Sequence, residues 1–412
     1  PMTSSLVGSE MCIRDRLSVD TDPDYNSIWN VIGLTRSGLS VPSSYIQTFY
    51  ENIYAYLVEN DWVLTRTKYT DYSKLIVGLT AIGKDAQNIG GHNLLAYLSD
   101  FTDVKRQGFN GPIWALIALN SHPSYTIPTD ASAQEQTTEE GLITYLLNGE
   151  TAYGGWTLAG TEPDADITGM TIQALSPYYG ERDDVTGAID RALDWLSETQ
   201  LASGGYGTMG AETSESAAQV IVALSSVGID CAKDSRFIKN GKWPMTGLFQ
   251  YYLPEGGFMH VAAGAANNGG GEAGTLNGMA TEQGMYATAA YKRLLDGRTA
   301  LYDMSDTTLS AGEVVDVSTS NTGGVDASGS TRAASSSGVV TVKVSNVKLD
   351  YSQITVEVGK TRKLKATVTP DSASDKEVKW SSSNKKIATV NQNGKVKGVK
   401  EGTARIKVKA KD

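Results

Sequence analysis

The sequence predicts a multi-domain chain. An α/α toroid, six inner helices inside an outer ring truncated at its N-terminal end, is followed by a small β-sandwich. Three observations carry this. Six apolar segments of one design recur across residues 25–291, three Gly-Gly-aromatic turns punctuate them, and near residue 341 the hydrophobic period changes from helical to alternating. The 412 residues suffice for two or three domains, and an apolar content of 40% for a large core. No apolar run approaches the ~20 residues of a membrane-spanning helix, so no span is expected.

The six segments are YNSIWNVIGL (25–34), TDYSKLIVGL (70–79), NGPIWALIAL (110–119), DITGMTIQAL (166–175), ESAAQVIVAL (215–224) and EQGMYATAAY (282–291). Each ends on Leu or Tyr, and the residue before is always small: Gly33, Gly78, Ala118, Ala174, Ala223 and Ala290. Segments this apolar and small-featured read as buried helices, expected to overlap 25–37, 71–83, 111–121, 167–178, 215–227 and 282–295. Asp166 and Asn110 stand where helix N-caps belong.

Between them lie amphipathic segments with charge on one face, at 43–60, 92–101, 138–149, 187–200 and 245–253. These are the expected outer helices, antiparallel to the inner ones. Five outer helices serve six inner ones, so a further outer helix is expected before residue 24. There the chain opens on Pro1, and MCIRDR (11–16) resembles a translated sequencing-adapter remnant. Residues 1–17 are set apart as artefact from a toroid at 18–306, and any signal peptide is expected to be lost with the true start. Cys12 falls in that stretch, so its pairing with Cys231 is not supported.

GGW (154–156), GGY (204–206) and GGF (256–258) each follow an outer helix and precede an inner one. Glycine reaches the backbone angles that a tight reversal needs. Trp156, Tyr206 and Phe258 are expected to plug the seams between repeats, ligand contact being the alternative.

Residues 307–340 are dominated by Ser, Thr, Gly, Ala and Val without an aromatic, which predicts a linker. From 341 to 412, short alternating runs with turns such as QNGK predict the β-sandwich, with Trp380 as its core anchor. Charge divides in the same way. Residues 343–412 hold 17 Lys+Arg and 7 Asp+Glu, net +10, and the remainder 19 and 39, net −20, which sum to −10. A lysine-rich solvated surface explains the basic part, and attraction to an anionic cell-wall polymer is the alternative. No nucleic-acid partner is expected.

The repeats with their Gly-Gly-aromatic turns resemble the superfamily of squalene and terpene cyclases, protein prenyltransferase β subunits, complement thioester domains and cobalamin carriers. TQLASGGYG resembles the Gln-Trp repeat of the cyclases. GFNGPIWALIAL, ESAAQVIVAL, DSRFIKNG and MATEQGMYA look like the secreted prenyltransferase/squalene-oxidase repeat proteins of Gram-positive gut bacteria, over roughly residues 20–306. ITVEVGKTRKLKATVTP and the residues after it are similar to bacterial immunoglobulin-like group 2 domains. That resemblance implies a secreted or surface-attached protein in which the module is a spacer or adhesion unit.

Against these families the chemistry is incomplete. DADIT (164–168) matches two acids of the cyclases' Asp-x-Asp-Asp motif, with Asp164 first and Asp166 in the proton donor's place. The third acid is Ile167, and a proton donor to an alkene needs its supporting shell. Zinc of the prenyltransferase type would need an Asp-x-Cys spacing that Asp230-Cys231 lacks, so no metal is expected. The thioester run Cys-Gly-Glu-Gln is absent. No cofactor is expected, cobalamin being conceivable by superfamily analogy alone.

The lumen remains. Positions two and five before each inner segment's end carry Trp29, Lys74, Trp114, Met170, Gln173, Gln219 and Tyr286. A purely apolar core would not choose two Gln and a Lys, since burying an unpaired polar group costs ~1–3 kcal/mol. Aromatics interspersed with amides suit an amphipathic or ring-shaped ligand, and a water-filled lumen accounts for the same residues. Binding is favoured over catalysis. A cyclase- or prenyltransferase-like enzyme and a purely structural adhesion protein are the alternatives, all extracellular or at the cell surface.

Overall fold

A computed structural model of the protein describes residues 22–315, 346–349, 356–369, 378–392 and 394–410. The expected artefact at 1–17 lies outside the described residues. The chain divides into two compact units between Thr322 and Gly323.

The first unit is an α/α toroid. Its inner helices are α1 (Ile28–Arg36), α3 (Thr70–Ala81), α5 (Asn110–Asn120), α7 (Ala165–Leu175), α9 (Ser214–Ser226) and α11 (Gly278–Leu295). Each packs on the next, and α11 returns to α1 to close the ring. Burial explains the composition: every residue of α9 from Ser214 to Ser225 is buried, so no face carries charge to solvent. The small residue before each terminal Leu or Tyr lets neighbours approach. At Gly78 an added Cβ would stand 2.8 Å from Ile28 Cγ2.

The outer members are α2 (Ser43–Glu59), α4 (Phe101–Val104), α6 (Glu139–Asn148), α8 (Asp183–Thr199) and α10 (Pro244–Phe249). On α8 Val185, Ala188, Ile189, Ala192, Leu193 and Leu196 are buried at helical spacing while the acids face out. The helix expected over 92–101 is instead a 3-10 turn, Leu94–Leu98, followed by the single turn α4. Asn93 and Asp100 each accept a hydrogen bond from the backbone N–H two residues on, and these local bonds restart the chain twice.

Each Gly-Gly turn ties an outer helix to the next inner one. Trp156 is buried, its Nε1 donates to Leu146 O (2.6 Å) at the end of α6, and its backbone N–H donates to Thr168 Oγ1 (2.9 Å) on α7. Phe258 repeats the second bond with Thr281 Oγ1 (2.9 Å), and Tyr206 is equally buried. All three aromatics are thus buried at the turns, and Trp156 and Phe258 are bonded there to the inner helix that follows. Gly155 has φ 83° and a Cβ there would lie 2.8 Å from Thr168 Oγ1. We expect Gly155→Ala to lower stability by about 1–3 kcal/mol, combining left-handed strain with the displaced Thr168 bond. Chemical denaturation would check this, and a loss below 0.5 kcal/mol (about the level of a neutral surface change) would count against it.

Where the sequence suggested a linker, the body continues. Beyond Lys84–Ile89 (β1) and the short hairpin of Tyr206–Thr208 (β2) and Ala211–Thr213 (β3), Ser310–Gly312 (β4) pairs in parallel with β1, and Tyr50 Oη donates to Glu313 O (2.6 Å). Leu309 and Val315 pack on the helical core. The expected boundary at 306 is therefore too early, and the rest of the predicted linker, from residue 316, lies outside the described residues.

The ring's closing seam is polar and buried. Arg36, in the last turn of α1, and Arg293, near the end of α11, both grip Asp306: Nη1 to Oδ1 and Nη2 to Oδ2, each 2.6 Å. Arg36 also donates to the carbonyls of Ala300, Leu301 and Asp303, and Arg293 to Thr299 O and Arg36 O. The segment so held carries Leu301, Tyr302 and Met304, all buried.

The second unit is a small antiparallel β domain. Its strands pair as β6 (Thr361–Lys363) with β10 (Lys395–Gly398) with β9 (Ala388–Val390), β8 (Val378–Ser382) with β11 (Ile406–Ala410), and β5 (Asn346–Leu349) with β7 (Ala366–Thr369). Leu364, Trp380 and Val396 form the core, as expected of Trp380. On β11 Ile406 and Val408 pack against it while Lys407 and Lys409 are exposed, so much of the basic charge is a solvated face.

Candidate functional site

An outer segment returns the chain between successive inner helices, so the inner N-terminal turns gather at one end of the ring. At that end Trp29 of α1, Asp71 and Lys74 of α3, and Asn110 and Trp114 of α5 line a cavity of ≈ 320 Å³ with Thr70 and Gln107. Trp29 and Trp114 stand 4.9 Å apart between centroids, tilted by 56°. Behind Trp114, Tyr302 meets its ring edge-on at 5.7 Å. Tyr302 and the clamped segment thus stop the lumen at its far end.

Lys74 Nζ lies 4.5 Å from the centroid of the Tyr25 ring. Burial pulls its pKa below the ordinary lysine range, partly offset by the carboxylates of Asp71, Glu282 and Asp24. Gln107 Oε1 accepts from Thr70 N (3.2 Å) and Thr70 Oγ1 (3.1 Å), leaving its amide N–H groups for the cavity.

The remaining predicted lumen residues are used differently. Gln173 Nε2 donates to Gln219 O and Oε1 (both 3.0 Å), and Gln219 Nε2 donates to Gln283 Oε1 (2.9 Å) and Tyr286 Oη (2.7 Å). Gln173, Gln219 and Tyr286 are buried, so these side chains bond one another rather than facing the cavity, with Gln173 Oε1 left enclosed and unpartnered. Tyr286 reaches the aromatic side of the site, 5.8 Å from Trp29. Met170 is half-buried against the core. The structure therefore brings Trp29, Lys74 and Trp114 to the cavity and locks Gln173, Gln219 and Tyr286 into a wall.

Two expected caps are corrected. The N-cap of α7 is Asp164, whose Oδ1 accepts from Ile167 N (2.9 Å). Asp166, two positions inside, points its carboxyl inward, with Oδ1 enclosed and unpartnered. Asn110 likewise makes no capping bond, because the chain enters α5 already helical at Phe109.

Around Asp166 lies a cluster that sequence reasoning missed. His260 Nδ1 is 2.8 Å from Glu215 Oε2 and its Nε2 is 2.7 Å from Asn268 Oδ1, with both His260 and Glu215 buried. Burial raises the Asp166 pKa to about 6. The charges of Asp164 and Glu215 add to this, while the Ser216 hydroxyl and His260 offset part of it. Asp71, Gln107, Glu215, Gln283 and Tyr302 were also missed. Asp71 and Glu215 read as ordinary first-turn acids, and nothing local marks the others.

Among the described residues no group of three or more His, Cys, Asp or Glu could hold a metal ion, and no helix is long and apolar enough to cross a membrane. Cys231 is buried and free, and burial raises its pKa.

Residues 343–412 match the bacterial Ig-like domain (group 2) family. A 3-O-alpha-D-galactosyl-alpha-L-arabinofuranosidase from Bifidobacterium longum subsp. longum is 50% identical over 67 residues, 16% of this chain and 6% of that protein. The kappa-carrageenase of Pseudoalteromonas carrageenovora is 45% identical over 71 residues, 17% of this chain and 18% of that protein. The chain thus spans a small fraction of these relatives, over lengths close to that of the β module. Among solved structures, a type II terpene cyclase from Scytonema is similar with TM-score 0.47 and 11% identity, over 72% of this chain and 99% of that one. A glycosyl hydrolase family 88 protein from Bacteroides vulgatus gives 0.45 and 9%, over 71% and 99%. These likenesses assign no activity.

Proposed function

We propose that the helical ring is a binding body whose mouth cavity takes a ring-shaped, amphipathic ligand. In this reading the protein is secreted or displayed at a surface, with the Ig-like module as spacer or adhesion unit. The observation that carries it is the wedge of Trp29 and Trp114 above a stopped lumen, faced by Asp71, Lys74 and Asn110. Apolar faces beside a few convergent polar groups are what small-molecule sites require. An extracellular setting draws support from the Ig-like match and from relatives named for glycan-cleaving activities.

Saturable quenching of tryptophan emission by p-nitrophenol, a small ring-shaped probe, tests the cavity. We expect Trp29→Ala to weaken the probe by roughly tenfold, about 1.4 kcal/mol, with the melting midpoint little changed because Trp29 is only half-buried. Equal, unsaturable quenching in both proteins would end the reading. The locked amides make a different forecast from the cavity residues. Gln219→Ala should destabilise the ring, since Gln173 loses one of its two acceptors, keeping the backbone carbonyl of residue 219, and Tyr286 loses its donor.

A second reading, an acid of the cyclase type, is favoured by one observation. The enclosed carboxyl of Asp166 has its pKa raised to about 6 beside Glu215 and His260.

A further inference from the structure

We infer that the mouth cavity receives the terminal unit of a neutral glycan, an inference that rests on the binding reading above and names its ligand class. The lining mixes donors and acceptors at close quarters. Lys74 Nζ and the free N–H groups of Gln107 donate, Asp71 accepts, and the Asn110 amide, unused as a cap, offers both. A sugar hydroxyl both donates and accepts, so several on one ring satisfy such a set together. A carboxylate ligand would face Asp71, with Glu282 near Lys74 and a net −20 on residues 1–342, while a cationic ligand would meet Lys74. A neutral polyol meets neither objection.

The aromatic wedge supplies the other half of sugar recognition. A pyranose or furanose ring has one face of C–H groups, apolar and weakly positive, which fits the negative face of an indole. Trp29 is half-buried and keeps ring surface for such contact. The volume, ≈ 320 Å³, lies at the low end of the roughly 300–1,000 Å³ typical of small-molecule sites. Tyr302 stops the lumen behind Trp114, so a chain cannot thread through, and an end unit is what enters.

Saturation-transfer NMR on the full chain, with D-glucose, D-galactose, L-arabinose, N-acetyl-D-glucosamine, D-glucuronate and D-galacturonate, tests this. At least one neutral sugar should show transfer at millimolar concentration. Its affinity should fall roughly tenfold in Trp29→Ala and in Asn110→Ala, each removing one stacked or hydrogen-bonded group. Asn110→Ala should keep the wild-type melting midpoint because its amide caps nothing. A uronate binding more tightly than every neutral sugar overturns the inference. So does silence from all neutral sugars while p-nitrophenol still quenches saturably, which leaves the binding reading standing. Failure of sugars and p-nitrophenol together removes both.

Discussion

Replacing Asp306 by alanine is expected to cost the helical body about 3–5 kcal/mol, the largest single-residue effect anticipated outside the apolar core. Asp306 is partly exposed, but the guanidinium groups it joins are not: the Arg36 side chain is 5% exposed and that of Arg293 is 3%. Removing the shared carboxylate leaves two enclosed like charges facing each other across the seam of α1 and α11. Asp306→Asn keeps the shape and one acceptor and should cost less than alanine. Burial alone would raise the Asp306 pKa, but the bonds and charges of Arg36 and Arg293 outweigh it and bring the value down to about 2. The folded value lies below the unfolded one. The contribution is therefore complete above the ordinary carboxylate range and lost as pH falls from about 4 towards 2. Equilibrium unfolding followed from pH 7 to pH 2.5 checks both statements. A loss under 1 kcal/mol in the alanine variant would mean that the body closes without the clamp.

That clamp shows where a sequence stops being readable. The six inner helices were legible because each repeats one local pattern, apolar throughout with a small residue before its end. The buried turn aromatics Trp156, Tyr206 and Phe258 were legible because glycine pairs precede them. Arg36, Arg293 and Asp306 carry no such mark, since Arg36 and Asp306 lie at opposite ends of the helical body and each alone looks like a helix-end or loop charge. β1 was invisible for the same reason: KDAQNI has no strand period and becomes one only against Ser310–Gly312. In the candidate site the helical spacing brought out Trp29, Lys74 and Trp114. It could not show that Gln173 and Gln219 bond each other, because that depends on the packing of α7 against α9. The Asp166 error is a displacement of two residues. A cap and an inward acid differ only in which carboxylate meets the first-turn N–H groups, and Asp164 takes that role.

Under the binding reading the two ends of the ring have different tasks. At the C-terminal end of the inner helices the chain stacks Tyr302 behind Trp114 and locks the segment with two arginines. At the N-terminal end it leaves Trp29, Asp71, Lys74, Asn110 and Asp166 partly exposed. Rigidity at the stopped end holds the tryptophan wedge in place, and preorganised aromatic surface is what allows a weakly apolar ligand face to bind at all. On that reading the cavity is preformed and need not close around a ligand.

Asp166→Asn is expected to make the protein more stable at pH 7, by about 1–2 kcal/mol, whereas a cap would have predicted no gain. Burial raises the Asp166 pKa to about 6, with Asp164 and Glu215 reinforcing the shift. A folded value above the unfolded one, about 4, means that the fold prefers the protonated acid. That preference is complete below about pH 4 and is lost as pH rises through about 6. At neutral pH the ionised carboxylate is then a burden of up to about 3 kcal/mol, reduced because one edge of the residue meets solvent. Asparagine removes the charge and brings an N–H within the neighbourhood of Glu215, whose Oε1 is enclosed without a partner. The gain should therefore be present at pH 7 and absent at pH 4, as read by denaturation midpoints at both. No gain at pH 7, or an equal gain at pH 4, would refute the assignment of a raised acid. The same variant separates binding from catalysis. An enclosed acid with a raised pKa, kept at a cost in stability, is one feature that a proton donor would need, so wild-type protein incubated with a polyprenyl substrate is the decisive comparison. The binding reading predicts no cyclised product from either protein. Product from wild type that disappears in Asp166→Asn, with the fold intact, would make this acid the centre of an enzyme.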